Sequence, residues 1–249
     1  MRHKYLAAKL DKENSIDLLK VFIEKNSKTK TSQFKSKLLK KYLLKRKKYE
    51  KFFFKKFVDI NYNKNLENQI VEGSINSAKF LKEIKKMNPD LIISFGCSII
   101  KGDILKVYKN KFINIHLGLT PYMRGAGTNI FPFYLKRLEL VGSTIMFINK
   151  KVDAGRIIHH TTPNFTKSDN IHTIGFKLIK KTISELIKIL SSNKKLKSKA
   201  IKKTTELYFR RKDFNSYILN EVEKNISSGI ISDYLKKNKK IKLINFFEK

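Results

Sequence analysis

The chain has 249 residues and carries 55 Lys+Arg against 21 Asp+Glu, a formal net charge of +34. That length suits one α/β domain with an appendage, or two small domains, and can bury a sizeable core. A hydrophobic fraction of 41% excludes a disordered polycation, and no apolar run is long enough for a transmembrane helix. Met1 to Tyr5 leads into no apolar segment of the secretory kind, and Cys97 is the single cysteine. Internal disulfides and cysteine metal clusters are thereby excluded, and a cytoplasmic location is expected.

The positive charge does not by itself indicate nucleic acid. Only seven of the basic residues are arginine: Arg2, Arg46, Arg124, Arg137, Arg156, Arg210 and Arg211. The rest are lysine, alongside abundant Ile, Asn and Phe, a mixture that AT-rich codons produce. Nucleic-acid readers favour arginine for bidentate contacts, so a solvated lysine surface is the preferred reading. Charge concentrates in residues 25–60 and 191–249. The segment 88–165 is less basic and holds all four prolines and seven of the ten glycines. Gly and Pro set special backbone geometry, so a built site is expected between about 90 and 160.

In chain order, Arg2 to Leu10 has a helical look, and Leu18 to Ile23 reads as a short strand. Thr31 to about Phe57 spaces Leu38, Leu39, Tyr42, Leu43 and Phe52–Phe54 at roughly helical intervals, predicting a basic amphipathic helix. Such a helix can serve a membrane surface or RNA, but one buried stripe with a solvated lysine face is the simpler reading. Ser77 to Met87 is a helix ended by Asn88-Pro89. Asp90 to Phe95 is a nearly continuous apolar strand, as a sheet covered on both faces requires. Gly96-Cys97-Ser98 turns into a short helix around Ile99 to Val107. Phe112 to His116 is the next strand, followed by a Gly/Pro loop, a strand from Val141 to Ile148 and another from Ile157. Ser168-Asp169 then caps a long helix whose stripe runs from Ile171 to Leu190. A polar break at Ser191 to Lys195 precedes a small helical tail, with helices over Asp213 to Glu223 and Ser228 to Leu235. Strands alternating with helices predict an α/β fold with a mostly parallel sheet.

Asn114 and His116 sit two apart at a strand end, so both side chains share one face at the edge where open α/β folds bind ligands. The loop Leu117 to Gly127 can approach a ligand with bare backbone. Val152-Asp153-Ala154-Gly155 follows a later strand and supplies a carboxylate. An amide, an imidazole and a carboxylate converging at one edge can run acyl transfer without metal or covalent intermediate. The amide N–H donates to a developing oxyanion, the imidazole moves a proton, and the carboxylate orients the imidazole. Singly, each has a plainer reading: a turn former, a structural histidine, a turn-closing aspartate.

Asn114-Ile115-His116, Leu119-x-Pro121, Arg124-Gly125, Gly142-x-Thr144-Ile145 and Val152-Asp153-Ala154-Gly155-x-Ile157-Ile158 together resemble the signature of the formyltransferase family. That family includes glycinamide ribonucleotide, methionyl-tRNA and sugar N-formyltransferases. The ordered match covers Asp90 to His160, with weaker similarity over most of 1–190. The resemblance implies a Rossmann-like formyltransferase fold over 1–190, and a basic, mainly helical extension over 191–249. It implies transfer of a formyl group from 10-formyltetrahydrofolate, without metal, to an amine. Asn114, His116 and Asp153 match the family's catalytic residues. Ser98, Ile99 and Ile100, with Asn149, Lys150, Lys151 and Val152, fall where the pterin is held. Gly118, Arg124 and Gly125 fall on the acceptor side. The family's Pro-Ser-Leu-Leu-Pro is here Leu117-Gly118-Leu119-Thr120-Pro121, which leaves the usual acceptor open.

The tail is short and helical beside the β-rich tRNA-binding domain of methionyl-tRNA formyltransferases. A small-molecule amine, such as an amino sugar on a nucleotide, is therefore the expected acceptor. The competing readings are an RNA-binding or scaffold protein on a degenerate enzyme fold, with nucleic acid the less favoured partner, and a hydrolase that passes the formyl group to water. The chain opens on what resembles the helix after the family's first strand. A vacant sheet position is expected between Leu18–Ile23 and Leu91–Phe95, which would leave open strand edges.

Overall fold

Tyr5, Leu6 and Leu10 put one face of α1 (Arg2–Asp11) into the core. The structure is a computed structural model describing residues 1–25, 36–192, 194–201, 207–237 and 239–248. Residues 31–35, the start of the predicted basic helix, lie outside that set. The helix itself, α2 (Lys37–Asn61), begins at Ser36, whose side chain accepts from the Leu39 amide, and buries Tyr42, Phe54 and Val58. Its lysine face is solvated. Strands β1 (Val21–Lys25) and β2 (Glu67–Val71) flank it in sequence and pair in parallel. The sequence pattern missed β2, because Glu67, Asn68 and Gln69 lack the apolar and β-branched character that marks a strand.

Helix α3 (Ala78–Met87) leads to β3 (Ile92–Ser94), and α4 (Asp103–Val107) to β4 (Phe112–His116). Two short elements, β5 (Met123–Gly125) and α5 (Phe131–Tyr134), lie in the Gly/Pro-rich region before β6 (Ser143–Phe147) and β7 (Ile157–Thr161). The central sheet has the order β3-β4-β6-β7. Within it β3 and β4 run parallel, whereas β4-β6 and β6-β7 are antiparallel. The expectation of parallel pairing is met by β1-β2, by β3-β4 and by β5 with β8 (Leu207–Phe209), and antiparallel order enters where β6 and β7 are joined by a short loop rather than a crossover helix.

Apolar side chains of α1, α2 and α6 (Ile171–Leu190) cover one face of this sheet, around Ile113, Ile115 and Ile145. On the opposite face Phe112 packs with Phe80, Ile84, Ile104 and Tyr108 of the α3–α4 region. This three-layer arrangement explains why β6 and β7 are buried at every position, their polar residues Ser143, Thr144, His159, His160 and Thr161 included. The cap of α6 is Asn170 rather than Ser168-Asp169: its side chain accepts from the amides of His172 and Thr173, while Asp169 binds Thr166, Thr173 and Lys177.

Beyond α6, β8 (Leu207–Phe209) pairs with β5, and helices α7 (Ser216–Ser227) and α8 (Ile230–Lys237) follow. Ile218, Val222, Ile230 and Ile231 share a cluster with Met123, Phe131 and Leu140. Phe131 and Phe209 stack with ring centroids 3.7 Å apart. The tail thus packs directly behind the loop that follows β4.

Among the described residues β1 pairs only with β2, β3 pairs only with β4, and no strand lies between β1 and β3. Their carboxyl ends are tied instead by Glu24, whose carboxylate accepts from the amides of Gly73 and Ser98 and from the Ser98 hydroxyl.

Candidate active site

The end of β4 fixes Asn114 and His116 on one sheet face. Asn114 is opposite Ser94 on β3 and Met146 on β6, and His116 is opposite Thr144. Asp153 comes from the β6–β7 loop, where it adopts φ +48°, a left-handed conformation that aspartate tolerates better than most residues. The three side chains converge. Asn114 Nδ2 stands 3.4 Å from Asp153 Oδ1, and His116 Nδ1 stands 3.4 Å from Asp153 Oδ2. The Gly125 amide also donates to Asp153 Oδ2, at 3.2 Å, which anchors the carboxylate from the far loop.

His116 is buried between two oxygen acceptors, because its Nε2 lies 3.1 Å from the Met123 carbonyl. Each neutral tautomer therefore turns one ring lone pair toward an oxygen, and only the doubly protonated ring satisfies both. Burial works the other way and holds the pKa of His116 below its usual value, with Asp153 pulling it up and Arg124 adding to the depression. A ring balanced between these effects is suited to taking and returning a proton.

Residues absent from the sequence-based list complete the framework. The buried Ser94 hydroxyl lies 3.0 Å from Asn114 Oδ1 and 3.2 Å from the Ile113 carbonyl. Donation to Oδ1 turns the amide so that Nδ2 faces Asp153. A lone serine in Leu91-Ile92-Ile93-Ser94-Phe95 was a visible irregularity, and it marks this role. Met123, whose contribution is a backbone carbonyl, has no sequence signal.

A cavity of about 670 Å³ opens over this group and is lined by Asn114, His116 and Asp153. Ser98, Ile99, Ile100, Asn149, Lys150, Lys151 and Val152 all lie on its wall. Ile99 remains 66% exposed, so it is not a core residue, whereas Ile100 is buried. The Asn76 side chain clamps this turn, donating to the Ile99 carbonyl and accepting from the Lys101 amide. The Ser98 amide is engaged by Glu24 rather than turned to the cavity. Asn149 braces its own loop by donating to the Ala154 carbonyl and accepting from the Lys151 amide, while Lys150 and Lys151 are exposed.

Two residues expected on the acceptor side are placed behind the wall. Gly118 packs against His116, and a Cβ there would sit 2.4 Å from its Nε2. The Arg124 guanidinium donates to the Val152 carbonyl at 2.8 Å, tying the β5 segment to the Asp153 loop. Their departure from the cavity follows from that packing. Gly125 does line it, with φ +89° and the Phe209 carbonyl only 2.0 Å from where a Cβ would be. Among the described residues, no group of three or more His, Cys, Asp or Glu side chains could hold a metal ion.

Residues 58–190, more than half of the chain, match the family described as formyl transferase. The chain belongs to the formyl transferase family. Methionyl-tRNA formyltransferase from Buchnera aphidicola subsp. Acyrthosiphon pisum is 33% identical over 119 residues, covering 47% of this chain and 37% of that protein. The same-named protein of Sulfurihydrogenibium sp. is 33% identical over 122 residues, covering 48% of this chain and 39% of its own length. The matched stretch thus spans well under half of these curated relatives. The structure of phosphoribosylglycinamide formyltransferase from Anaplasma phagocytophilum superposes with a TM-score of 0.54 at 16% identity, covering 85% of this chain and 93% of that one. This likeness establishes the formyltransferase fold. The family match contains Asn114, His116 and Asp153, whereas α1, β1 and most of α2 precede it.

Proposed function

We propose that this family member transfers a formyl group from 10-formyltetrahydrofolate to the amine of a small acceptor in the cytoplasm, an amino sugar nucleotide being the favoured class. The observation that carries this reading is the convergence of Asn114, His116 and Asp153 on one cavity. In this reading residues 1–190 supply the catalytic framework and 191–249 brace it through β8 and α7.

The wall fits a folate-type donor. It offers apolar surface at Ile99 and Ile100, loop backbone at Asn149 to Val152, and the buried Asn129 Nδ2, which has no hydrogen-bond acceptor among the described residues. The volume is in the range of small-molecule sites. When bound, the donor supplies the formyl carbon in activated form. Asn114 Nδ2 donates to the formyl oxygen as negative charge builds there. His116 takes the proton that the attacking amine must lose and can return it to the donor nitrogen as that nitrogen's bond to the formyl carbon breaks, so that tetrahydrofolate leaves neutral at that atom. Asp153, held by Gly125, keeps the imidazole aligned and stabilises its charged form.

The scaffold or RNA-binding reading gains if the three side chains diverge, and it loses that support because they converge. The cavity is framed by α2, α6 and the Arg211 segment, and its volume, in the range of small-molecule sites, favours a small acceptor. The test is an assay of transfer to a panel of amines, with formate release measured in parallel. Transfer to an amine supports the reading. Formate release without transfer would make water the acceptor, and neither product would refute the enzymatic reading.

A further inference from the structure

The loop after β4 departs from the family's stretch at Thr120, which places a hydroxyl just before Pro121. Thr120 is fully buried, and its amide, carbonyl and hydroxyl are all engaged. The amide donates to Thr144 Oγ1 at 2.9 Å, and the carbonyl lies 2.8 Å from His160 Nε2 on β7. The hydroxyl donates to the Asp153 carbonyl at 3.2 Å. The proposed chemistry uses neither Thr120 nor His160.

The proton on His160 has a fixed place. The Ile244 amide donates to Nδ1 at 2.9 Å, so the neutral ring carries its proton on Nε2 and donates it to the Thr120 carbonyl. Burial holds the pKa of His160 down to about 4, which keeps the ring neutral near pH 7.

At its other end the chain of bonds reaches the site residue with the unusual backbone. Asp153 has φ +48°, a conformation that persists in a non-glycine residue when its surroundings enforce it. Three consecutive carbonyls of its loop each accept from a side chain: Val152 from Arg124, Asp153 from Thr120 and Ala154 from Asn149. Of the three donors, Thr120 acts on Asp153 itself. The margin at the carboxylate is small. Its contacts with Asn114 Nδ2 and His116 Nδ1 are both 3.4 Å, at the long end of hydrogen bonding, so a slight shift of the backbone parts them.

We infer that Thr120, with its carbonyl fixed by His160, is a positioning residue for the transfer reaction, and that its hydroxyl holds the Asp153 backbone where the carboxylate reaches His116 and Asn114. This rests on the formyl-transfer reading for its effect on rate. The hold on Asp153 is read without substrate, through His116. Burial lowers the pKa of His116, Asp153 raises it and Arg124 lowers it further, so a displaced Asp153 carboxylate leaves the ring with a lower midpoint.

The test takes the full chain with isotope-labelled histidine, follows the ring titrations by NMR, and assigns His116 by the signal lost in His116→Gln. Thr120→Val keeps the shape and removes the hydroxyl. It should move the His116 midpoint down by about half a pH unit or more, part of the roughly one to three units an adjacent opposite charge contributes. In the transfer assay it should lower kcat about fivefold to tenfold, the value of one net hydrogen bond, with KM for donor and acceptor little changed. Thr120→Ser restores the donor and should recover both the midpoint and kcat. A second pair approaches from β7. His160→Asn keeps an acceptor for the Ile244 amide but has no donor that reaches Thr120, and should reproduce the loss. His160→Gln places an amide nitrogen near the position of Nε2 and should recover part of it. A lower melting temperature in Thr120→Val with an unmoved His116 midpoint and unchanged kcat would overturn the inference, because Thr120 would then only fill and satisfy the core. Equal loss in Thr120→Ser and Thr120→Val would overturn it as well. A lowered midpoint in Thr120→Val beside a wild type that transfers no formyl group would refute the formyl-transfer reading and leave the hold on Asp153 standing.

Discussion

Asn114 Oδ1 accepts from the buried Ser94 hydroxyl at 3.0 Å, a contact across the β3–β4 pairing that fixes which end of the amide faces the cavity. Without it, the carboxamide can rotate and turn its oxygen toward Asp153, an arrangement of two acceptors. Ser94→Ala should lower kcat by roughly fivefold to tenfold, the value of about one net hydrogen bond, with KM for the acceptor little changed. Steady-state kinetics with circular dichroism check this. An unaltered kcat would show that Ser94 does not orient the amide.

Asp153 raises the His116 pKa against the effect of burial, so its removal has a defined sign. Asp153→Asn should move the titration of His116 to lower pH, and with it the limb of the kcat–pH profile that His116 controls. The absolute rate should fall as well, because Gly125 and Asn114 both lose a charged partner. A profile that keeps its midpoint, or shifts upward, would contradict the pairing.

All five histidines are held below their ordinary pKa of 6.5, with burial the first cause in each, and His3, His160 and His172 fall to about 4. The unfolded chain takes up these protons near pH 6.5, while the folded chain resists until the pH is lower. Stability should therefore be complete above about pH 6.5 and decline as the pH falls toward 4. His160 shows the cost of protonation: its Nδ1 accepts from the Ile244 amide, and its Nε2 lies 2.8 Å from the Thr120 carbonyl. Urea midpoints at pH 7.5 and 5.5 test this, with the lower midpoint expected at pH 5.5.

The sequence made the central elements legible because their signals are local. Phe112–His116 emerged with the predicted bounds, and α6 showed its stripe plainly. Asn114 and His116 could be paired in advance by strand periodicity, and Asp153 joined them through the ordered resemblance to the family, since Asp-Ala-Gly alone also reads as a turn. What escaped depends on tertiary contact. β2 is polar, β5 and β8 exist only by pairing with each other, and Glu24 matters because the chain brings it to Ser98. Gly118 and Arg124 sit in the right stretch of sequence, but packing puts them behind the wall rather than on it.

The tail should support the site through Asn225, which is buried and donates to the Phe133 and Tyr134 carbonyls at 2.9 and 3.2 Å. Asn225→Ala removes both bonds, leaving the Phe133 carbonyl with a long 3.4 Å contact from the Lys136 amide, and should cost about 1–3 kcal/mol. Phe133 and α7 share a cluster with Met123, whose carbonyl faces His116, so kcat should fall along with stability. Urea unfolding and kinetics on the same preparation test this. A stability loss without a change in kcat would uncouple the tail from the site.

The central claim is that Asn114 stabilises charge on a formyl group in transit. The most direct measurement is the transfer rate of Asn114→Ala beside the wild type, with 10-formyltetrahydrofolate as donor and the best acceptor from the amine panel, after matched melting temperatures show that both are folded. The account predicts a loss of kcat of about a hundredfold or more, the usual effect of removing an oxyanion donor, with tetrahydrofolate binding retained. An Asn114→Ala protein that transfers the formyl group at the wild-type rate would contradict it.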